Sequence, residues 1–218
     1  MKKALLTGGT GMVGSLILKR CLADPEIGEV VTFGRKPSGV THPKLTEVIH
    51  QDFTDFSGLE AHFQAVDIAF HCLGVYTGSV SRELFRKITV DFTREFAEMV
   101  YAHSPESMFC LLSGAGADRT EQSRMAFAKD KGISENHLLA LGFKQAISFR
   151  PGYIYPVEPR DEPNFSYRLF RWLYPLLKGL MAKTSITSEE LAQAMFVAGK
   201  QGAPQEVLEN IGIKALLT

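Results

Sequence analysis

A glycine-rich stretch near the N-terminus, Thr7–Gly14, is the feature that most constrains how this chain folds. It follows a short apolar strand and leads directly into a segment with the apolar periodicity of a helix. Gly8, Gly11 and Gly14 stand three apart, a spacing that allows a tight turn, a close approach of backbone to phosphate oxygens, and close packing of helix on strand. The positive end of the helix would then face a pyrophosphate. The predicted dinucleotide loop comprises Thr7, Gly8, Thr10, Gly11, Met12, Val13 and Gly14.

Strand and helix signals alternate along the rest of the chain. Continuous apolar or β-branched runs predict strands at 3–6, 29–33, 45–50, 67–73, 108–112 and 145–149. Helical spacing predicts helices at 12–23, 81–102 and 123–141, and Ser57 is predicted to cap a short helix. A last helix is predicted to begin at the capping box formed by Thr187-Ser188-Glu189-Glu190.

This alternation predicts a single α/β domain over residues 1–218, a Rossmann-type doubly wound parallel sheet flanked by helices. After Tyr153 the pattern changes to a proline-rich loop and an amphipathic apolar segment at 165–181. We therefore expect a small C-terminal cap, residues 153–186, on the substrate side of the sheet.

Charge and cysteine content narrow the classes of partner and compartment. The 24 basic and 24 acidic residues balance, so no long-range field attracts nucleic acid or an anionic membrane. Three widely spaced cysteines, Cys21, Cys72 and Cys110, favour reduced thiols. The six histidines show no metal-binding spacing, and no apolar run is long enough for a membrane span. We predict a cytoplasmic protein, a monomer or homodimer, without a metal site.

The residues after the second predicted strand indicate which dinucleotide would bind. A site selective for NAD places an acidic side chain there, whereas this chain has Arg35 and Lys36. The Arg35 guanidinium matches a 2′-phosphate and Lys36 adds a second charge, so NADP(H) is expected and NAD is disfavoured. The alternative is that both are solvated surface cations. Asp52 and Phe53, just after the third strand, are expected to meet the adenine.

Ordered short motifs carry a family resemblance. They are Thr7-Gly8-x-x-Gly11-x-x-Gly14, Gly34-Arg35, Asp52-Phe53, Cys72-Leu73-Gly74, Val90-Asp91, Leu111-Leu112-Ser113, Lys131-Gly132-x-x-Glu135 and Arg150-Pro151-Gly152. The chain resembles an atypical short-chain dehydrogenase/reductase, and more narrowly the Tat-interacting, metastasis-suppressor-like proteins and their bacterial relatives. The resemblance implies a Rossmann fold with NADP(H) at the carboxyl ends of the strands. It also implies cofactor contacts from Cys72, Leu73, Gly74, Lys131, Pro151 and Gly152, the first three near the nicotinamide ribose.

The same family pairs a serine with a Tyr-x-x-x-Lys motif, and here the chain departs from it. Ser113 and Lys131 stand at the matching places, but Phe127 stands where the tyrosine is expected. The tyrosine exchanges a proton with the substrate, and phenylalanine has none to give. Tyr76 and Tyr153, on loops expected to overlook the nicotinamide, are candidate replacements. Each is alternatively a packing or substrate-lining aromatic.

Two functions of different classes fit these residues. The first is an NADP(H)-dependent oxidoreductase acting on a small carbonyl-type substrate, with Ser113, Lys131 and either Tyr76 or Tyr153 as catalytic candidates. The second is a non-catalytic NADP(H)-sensing regulator that acts through a protein partner, which Phe127 favours. A sugar-nucleotide epimerase is a weaker third alternative, because the chain after Gly152 is short for a substrate domain.

Overall fold

The computed structural model describes residues 1–76, 78–158 and 183–217, and it confirms the predicted α/β class. Within these ranges the strands follow the predicted runs closely, with three additional short strands after residue 152. The strands are β1 (Lys2–Thr7), β2 (Ile27–Gly34), β3 (Leu45–Ile49), β4 (Ile68–His71), β5 (Met108–Leu112), β6 (Gln145–Arg150), β7 (Tyr153–Tyr155), β8 (Ser185–Thr187) and β9 (Val207–Glu209).

Seven of the described strands form one parallel sheet in the order β3-β2-β1-β4-β5-β6-β9. The chain moves outward from β1 through β2 to β3, returns to β4 on the other side of β1, and continues outward from there. Ligands of doubly wound sheets bind at such a reversal, outside the carboxyl ends of the strands. The β1–β4 boundary is therefore where a cofactor crevice is expected. Strands β7 and β8 pair with each other in a separate two-stranded sheet.

Helices cover both faces of the sheet and connect its parallel strands. A π-helical turn, Lys87–Asp91, joins the helix Arg82–Arg86 to the helix Phe92–His103, so that they form one continuous helical segment. The helices are α1 (Gly14–Ala23), α2 (Glu60–Phe63), α3 (Arg82–Arg86), α4 (Phe92–His103), α5 (Ala126–Leu141), α6 (Ser188–Gln201) and α7 (Asn210–Ala215).

Each face of the sheet has its own hydrophobic core. Successive residues of β1 point to opposite faces, so Leu6 packs in the cluster that α1 and α6 cover, and Leu5 in the cluster that α4 and α5 cover. The second cluster is rich in phenylalanine, with Phe33, Phe63 and Phe96 fully buried in it. Burial on both faces explains why the central strands read as continuous apolar runs rather than alternating ones.

The structure corrects three details of the sequence-based prediction. Ser57 does not cap α2, whose N-cap is Leu59 without a side-chain hydrogen bond. The helix predicted at 81–102 is interrupted by the π turn, at which the Thr89 carbonyl accepts from the Thr93 and Ser134 hydroxyls at 2.7 Å each. The helix predicted at 123–141 begins three residues later. A π turn within a helix, or a short loop before one, leaves the apolar spacing of the sequence approximately unchanged. The periodicity therefore does not reveal either of them.

The capping box at the start of α6 yields a test of local stability. The Thr187 hydroxyl accepts from the Glu190 backbone N–H at 3.1 Å, and the Glu190 carboxylate accepts from the Thr187 backbone N–H at 2.8 Å. We expect Thr187→Ala to lower the free energy of unfolding by about 1 kcal/mol, measured from the urea midpoint at constant slope. Thr187→Ser keeps the hydroxyl and is the control. An equal loss in both variants would show that the methyl group, not the cap, is responsible.

Candidate functional site

The glycine loop, residues 8–13, connects β1 to α1 through backbone contacts too close for side chains. Gly8 has a φ of +75°, and a Cβ there would lie 2.6 Å from the Cys72 carbonyl oxygen. A Cβ on Gly14 would overlap the Gly8 carbonyl oxygen, to which the Gly11 N–H donates at 2.8 Å. The first and third glycines therefore make the turn and the helix–strand contact that their spacing predicts. The loop leaves Thr10 and Gly11 exposed at the crevice.

A buried hydrogen-bond chain lies beneath this loop, at the ends of β1 and β4. Thr93 Oγ1 donates to the Thr89 carbonyl, so it accepts from His71 Nε2 at 3.1 Å. His71 Nδ1 then accepts from Thr7 Oγ1 at 3.0 Å. Burial lowers the pKa of His71 to about 3, which keeps the ring neutral in this arrangement. The Thr7 hydroxyl thus points into the protein and fixes the start of the loop.

Arg35 and Lys36 lie beside the glycine loop, as a cofactor site requires. They line a 400 Å³ pocket, here called the Arg35 pocket, together with Gly8, Gly9, Thr10, Gly34, Gln51, Phe53 and Leu73. Both cations are exposed. Gln51, which the sequence analysis did not select, donates from Nε2 to the Arg35 carbonyl at 2.8 Å and so braces the loop that carries the two cations. No sequence motif distinguishes this glutamine from a surface residue.

Asp52 and Phe53 separate in the structure. Phe53 lines the Arg35 pocket while its ring is buried in the phenylalanine cluster. Asp52 is not part of that lining, and its Oδ1 accepts from the Thr54 hydroxyl at 2.6 Å and from the Thr54 N–H at 3.0 Å. These hydrogen bonds lower the pKa of Asp52. Its carboxylate is therefore engaged in a local turn at the position predicted to meet the adenine.

A second pocket, here called the Ser113 pocket, opens at the carboxyl ends of β5 and β6. It has a volume of 360 Å³ and reaches the glycine loop at Met12. Most of the catalytic candidates meet here, although they are far apart in sequence. The described lining includes Met12, Tyr76, Ser113, Phe127, Pro151, Gly152 and Tyr153.

The remaining predicted cofactor residues lie outside both linings. Lys131 is buried on α5, and its Nζ donates to the Leu112 carbonyl, at the end of β5, at 3.1 Å. Burial lowers the pKa of Lys131 to about 8. Thr7, Val13, Gly14 and Cys72 are buried, and Gly74 is exposed. Leu73 of the Cys72-Leu73-Gly74 motif lines the Arg35 pocket, and none of the three residues lines the Ser113 pocket.

Ser113 belongs to a buried ionic network. Its Oγ donates to Glu135 Oε1 at 2.5 Å, and the fully buried Glu135 carboxylate accepts from Arg150 Nε at 3.0 Å and Nη2 at 2.6 Å. Arg150 also pairs with Glu209 at 3.1 Å. The Glu135 hydrogen bond raises the pKa of Arg150. Glu135 ends the Lys131-Gly132-x-x-Glu135 motif. Its spacing four residues after Lys131 does not by itself indicate that it accepts a hydrogen bond from Ser113.

Phe127 lies one helical turn before Lys131 on α5 and contributes an apolar wall to the Ser113 pocket. Its Cζ lies 2.6 Å from the point where a Cβ on Gly114 would stand, so the tip of the ring is packed against the residue after Ser113. The ring also packs near Phe85, with 6.3 Å between centroids. The short-chain dehydrogenase/reductases that this chain resembles have a tyrosine at this position. Phe127 therefore directs the apolar edge of its ring, and no hydroxyl, toward Ser113 at the end of β5.

The described residues contain no cluster of three or more histidine, cysteine or acidic side chains suited to a metal ion. Cys21, Cys72 and Cys110 are buried as free thiols, and burial raises the pKa of each. Among the helices in these ranges, none combines the length and the apolar character needed to cross a bilayer. The predicted apolar segment at 165–181 lies outside the described residues.

Comparison with known proteins agrees with this geometry. The model of the NAD dependent epimerase/dehydratase family matches residues 4–134. "Protein fmp52, mitochondrial" of Emericella nidulans is 28% identical over 99% of this chain and 89% of its own length. Protein HTATIP2 of Rattus norvegicus is 28% identical over 70% of this chain, a match that spans 63% of the rat protein. These relatives confirm the resemblance that the ordered motifs indicated.

Solved structures extend the fold comparison over nearly the whole chain. The Bordetella bronchiseptica enzyme WbmF in complex with NAD+ superposes with a TM-score of 0.71 at 17% identity, covering 99% of this chain and 76% of WbmF. A UDP-N-acetylglucosamine 4-epimerase from Methanobrevibacter ruminantium gives 0.71 at 18% identity, covering 95% of this chain and 76% of the epimerase. At these identities the likeness concerns the Rossmann fold.

The relatives overturn one prediction, the cytoplasmic location. Homologues from Emericella nidulans, Aspergillus oryzae, Coccidioides immitis and Debaryomyces hansenii are all named as mitochondrial proteins. The prediction rested on three widely spaced cysteines that favour reduced thiols, and reduced thiols do not distinguish the cytosol from another reducing compartment.

The glycine loop, the strand order and the family match lead to one conclusion, that this chain belongs to the NAD dependent epimerase/dehydratase family, whose members carry a Rossmann fold that binds NAD(P).

Proposed function

We propose that this protein is an NADP(H)-dependent oxidoreductase acting on a small carbonyl-type substrate. The observation that carries the proposal is the Ser113 pocket, which touches the glycine loop at Met12 and gathers Ser113, Tyr76 and Tyr153 at one edge of the sheet. Its 360 Å³ volume suits a small molecule, and its position is that of ligands in doubly wound folds.

The cofactor fits the residues of the crevice. The close backbone contacts at Gly8 and Gly14 hold the exposed Thr10 and the start of α1 at the crevice where a pyrophosphate would lie. We assign Lys131 as the cation for the nicotinamide ribose. When bound, the nicotinamide supplies or accepts a hydride. The protein would hold the substrate beside it and exclude water.

Residues 153–186 are proposed as the substrate-side cap. The pairing of β7 with β8 supports this, because it brings Tyr153–Tyr155 and Ser185–Thr187 together and so anchors both ends of the segment. Tyr153 at its start also lines the Ser113 pocket.

A second function is supported by two observations at the catalytic position. Phe127 has no hydroxyl, and the Ser113 proton is donated to Glu135. Both features reduce the capacity of the site to protonate a substrate oxygen. A non-catalytic NADP(H)-sensing regulator that acts through a protein partner would retain the cofactor loop and not need that proton. Turnover measurements distinguish the two functions.

The first prediction concerns cofactor choice. Native protein is expected to bind NADPH more tightly than NADH, because exposed Arg35 and Lys36 flank the pocket next to the glycine loop. Arg35→Ala should reduce NADPH affinity by about tenfold and leave NADH affinity nearly unchanged, measured by calorimetry, since a charged hydrogen bond contributes about 1.5–3 kcal/mol. Arg119→Ala removes a cation outside the pocket and is the control. Equal native affinities would refute the NADP(H) assignment.

The second prediction concerns the missing phenol. Native turnover of small carbonyl compounds is expected to be slow, and Phe127→Tyr to raise it by about a hundredfold, because general acid catalysis contributes about 10²–10⁴-fold. The new phenol would lie one turn from the Lys131 ammonium, which favours its ionised form. Phe85→Tyr adds a hydroxyl to the neighbouring ring and is the control.

Single substitutions of the pocket tyrosines then locate any replacement acid. Fast native turnover that survives both Tyr76→Phe and Tyr153→Phe would contradict this account of the proton donor. Strong loss in one of them would identify the group that replaces the phenol.

The third prediction concerns pH. The free protein loses the Lys131 proton at about pH 8, since burial lowers this pKa, whereas a bound cofactor favours the protonated amine. NADPH binding therefore takes up a proton above this pH, and affinity should fall by at most about tenfold per pH unit as pH rises past 8. Lys131→Met should bind more weakly at pH 7 and show no such fall. A native affinity that is constant from pH 7 to 9 would remove Lys131 from the cofactor site.

A further inference from the structure

A buried asparagine, Asn210, connects two chain segments that are far apart in the sequence. It is the first residue of α7, directly after β9, and it is 7% exposed. Its Oδ1 accepts from the Gly152 N–H at 3.3 Å, and its Nδ2 donates to the carbonyls of Lys183 and Ser185 at 3.0 Å each. Two carbonyl partners require the amide nitrogen on their side, so the orientation of the amide is fixed. Asn210 and these three partners are here called the Asn210 clamp.

The two segments that the clamp joins also touch each other. The Tyr153 N–H donates to the Thr184 carbonyl at 2.9 Å, and a Cβ on Gly152 would lie 1.9 Å from the same oxygen. The two backbones therefore pass each other without room for a side chain, which is why a glycine stands at 152. Asn210 bonds to residues on both sides of this crossing.

The clamp fixes one end of the peptide unit between Pro151 and Gly152. The carbonyl of this unit accepts from the Ala115 N–H at 2.9 Å, and its N–H donates to Asn210. A peptide unit is planar, so partners at both ends determine how the plane is oriented. Ala115, Pro151 and Gly152 all line the Ser113 pocket. Asn210 therefore orients a wall of the pocket from outside the described lining.

Asn210 is itself anchored to the main sheet. Arg150 and Glu209 pair in the register of β6 and β9, and Arg150 Nη1 lies 3.1 Å from Glu209 Oε1. Because Asn210 directly follows Glu209, its backbone position is set by β6 and does not depend on the segments that its side chain holds. The clamp thus fixes the two crossing segments relative to the sheet that carries the glycine loop.

We propose that Asn210 is a positioning residue for the nicotinamide half of the cofactor, acting through the orientation of the Pro151–Gly152 peptide. This inference rests on the proposed NADP(H)-dependent function, in which the nicotinamide lies beside the Ser113 pocket. Without Asn210, one N–H and two carbonyls lose a buried partner, and the wall rearranges to satisfy them. The adenosine half belongs to the Arg35 pocket, whose described lining contains no residue of the clamp.

The test compares NADPH with adenosine 2′,5′-bisphosphate, which carries the adenosine and its 2′-phosphate but no nicotinamide. Both dissociation constants are measured by calorimetry. We expect Asn210→Ala to weaken NADPH binding about tenfold, because binding must then order the released wall, and to change bisphosphate binding by less than about twofold. Equal loss for both ligands, or no loss for NADPH, would overturn the proposal.

Asn136→Ala is the matched control. The Asn136 Nδ2 donates to the Arg119 carbonyl and to Glu121 Oε1, both at 2.8 Å, and neither partner lines the Ser113 or the Arg35 pocket. This variant removes a side-chain amide that bonds to backbone elsewhere on the chain. It should leave the affinities for both ligands at their native values.

Asn210→Asp separates the clamp from a role at the start of α7. An ionised aspartate is favourable at a helix N-terminus and can accept from the Gly152 N–H, but it cannot donate to the two carbonyls. We expect Asn210→Asp to bind NADPH as weakly as Asn210→Ala. Native NADPH affinity in Asn210→Asp would show that the residue serves only the helix start, and the positioning role would be refuted.

Because these variants could fail to fold, the native protein supplies an independent measurement. The two side-chain amide protons of Asn210 are buried and hydrogen-bonded, so they should exchange slowly and give a resolved pair of resonances in heteronuclear NMR spectra. NADPH should shift this pair and the Gly152 amide, whereas adenosine 2′,5′-bisphosphate should leave both unchanged. No shift on saturation with NADPH, or equal shifts with the two ligands, would contradict the proposal.

The native titrations distinguish this inference from the function on which it rests. If the native protein binds neither NADPH nor the bisphosphate, the proposed NADP(H) function fails, and the cofactor role of Asn210 fails with it. If the native protein binds both and Asn210→Ala binds both equally well, only the positioning role is refuted.

Discussion

The contact between the glycine loop and its surroundings is the constraint on which the rest of the site depends. Gly8 lies against the backbone of Cys72 at the end of β4, and Gly14 lies against the carbonyl of Gly8 at the start of α1. These contacts bring the two strands at the reversal of the sheet and the first helix into a single junction. A side chain at either position would separate them, and the crevice that adjoins the Arg35 and Ser113 pockets would lose its shared wall.

The carboxyl edge of the sheet is organised by buried polar networks. Beneath the loop, neutral His71 orients the hydroxyls of Thr7 and Thr93. Beside the Ser113 pocket, Glu135 receives hydrogen bonds from Ser113 and Arg150. Each network satisfies polar groups that would otherwise be costly inside the protein, and each thereby fixes the proton direction of a hydroxyl at the cofactor crevice.

The chain retains the fold of its family and departs at one position from the short-chain dehydrogenase/reductase motif that it resembles. The strand order, the loop and Lys131 are those expected of a dehydrogenase-like Rossmann protein. Phe127, at the position where the resembled dehydrogenases have a tyrosine, packs its ring against Gly114, and the described residues of the Ser113 pocket lining carry no charge. If the proposed oxidoreductase function holds, any proton transfer in this pocket has to come from a group other than Phe127.

The sequence by itself determined the fold class, the glycine loop and the departure at Phe127, because strand runs, glycine spacing and a missing hydroxyl are local properties of the chain. In the structure Arg35, Lys36 and Phe53 line one pocket with the glycine loop, because the carboxyl ends of neighbouring parallel strands meet at one edge, and their contacts with a cofactor stay a prediction. Only the tertiary structure decided that Ser113 donates to Glu135 and that Lys131 is held at the Leu112 carbonyl rather than in the pocket lining. Hydrogen-bond direction and burial depend on which groups distant segments bring together, and no residue pattern along the chain contains that information.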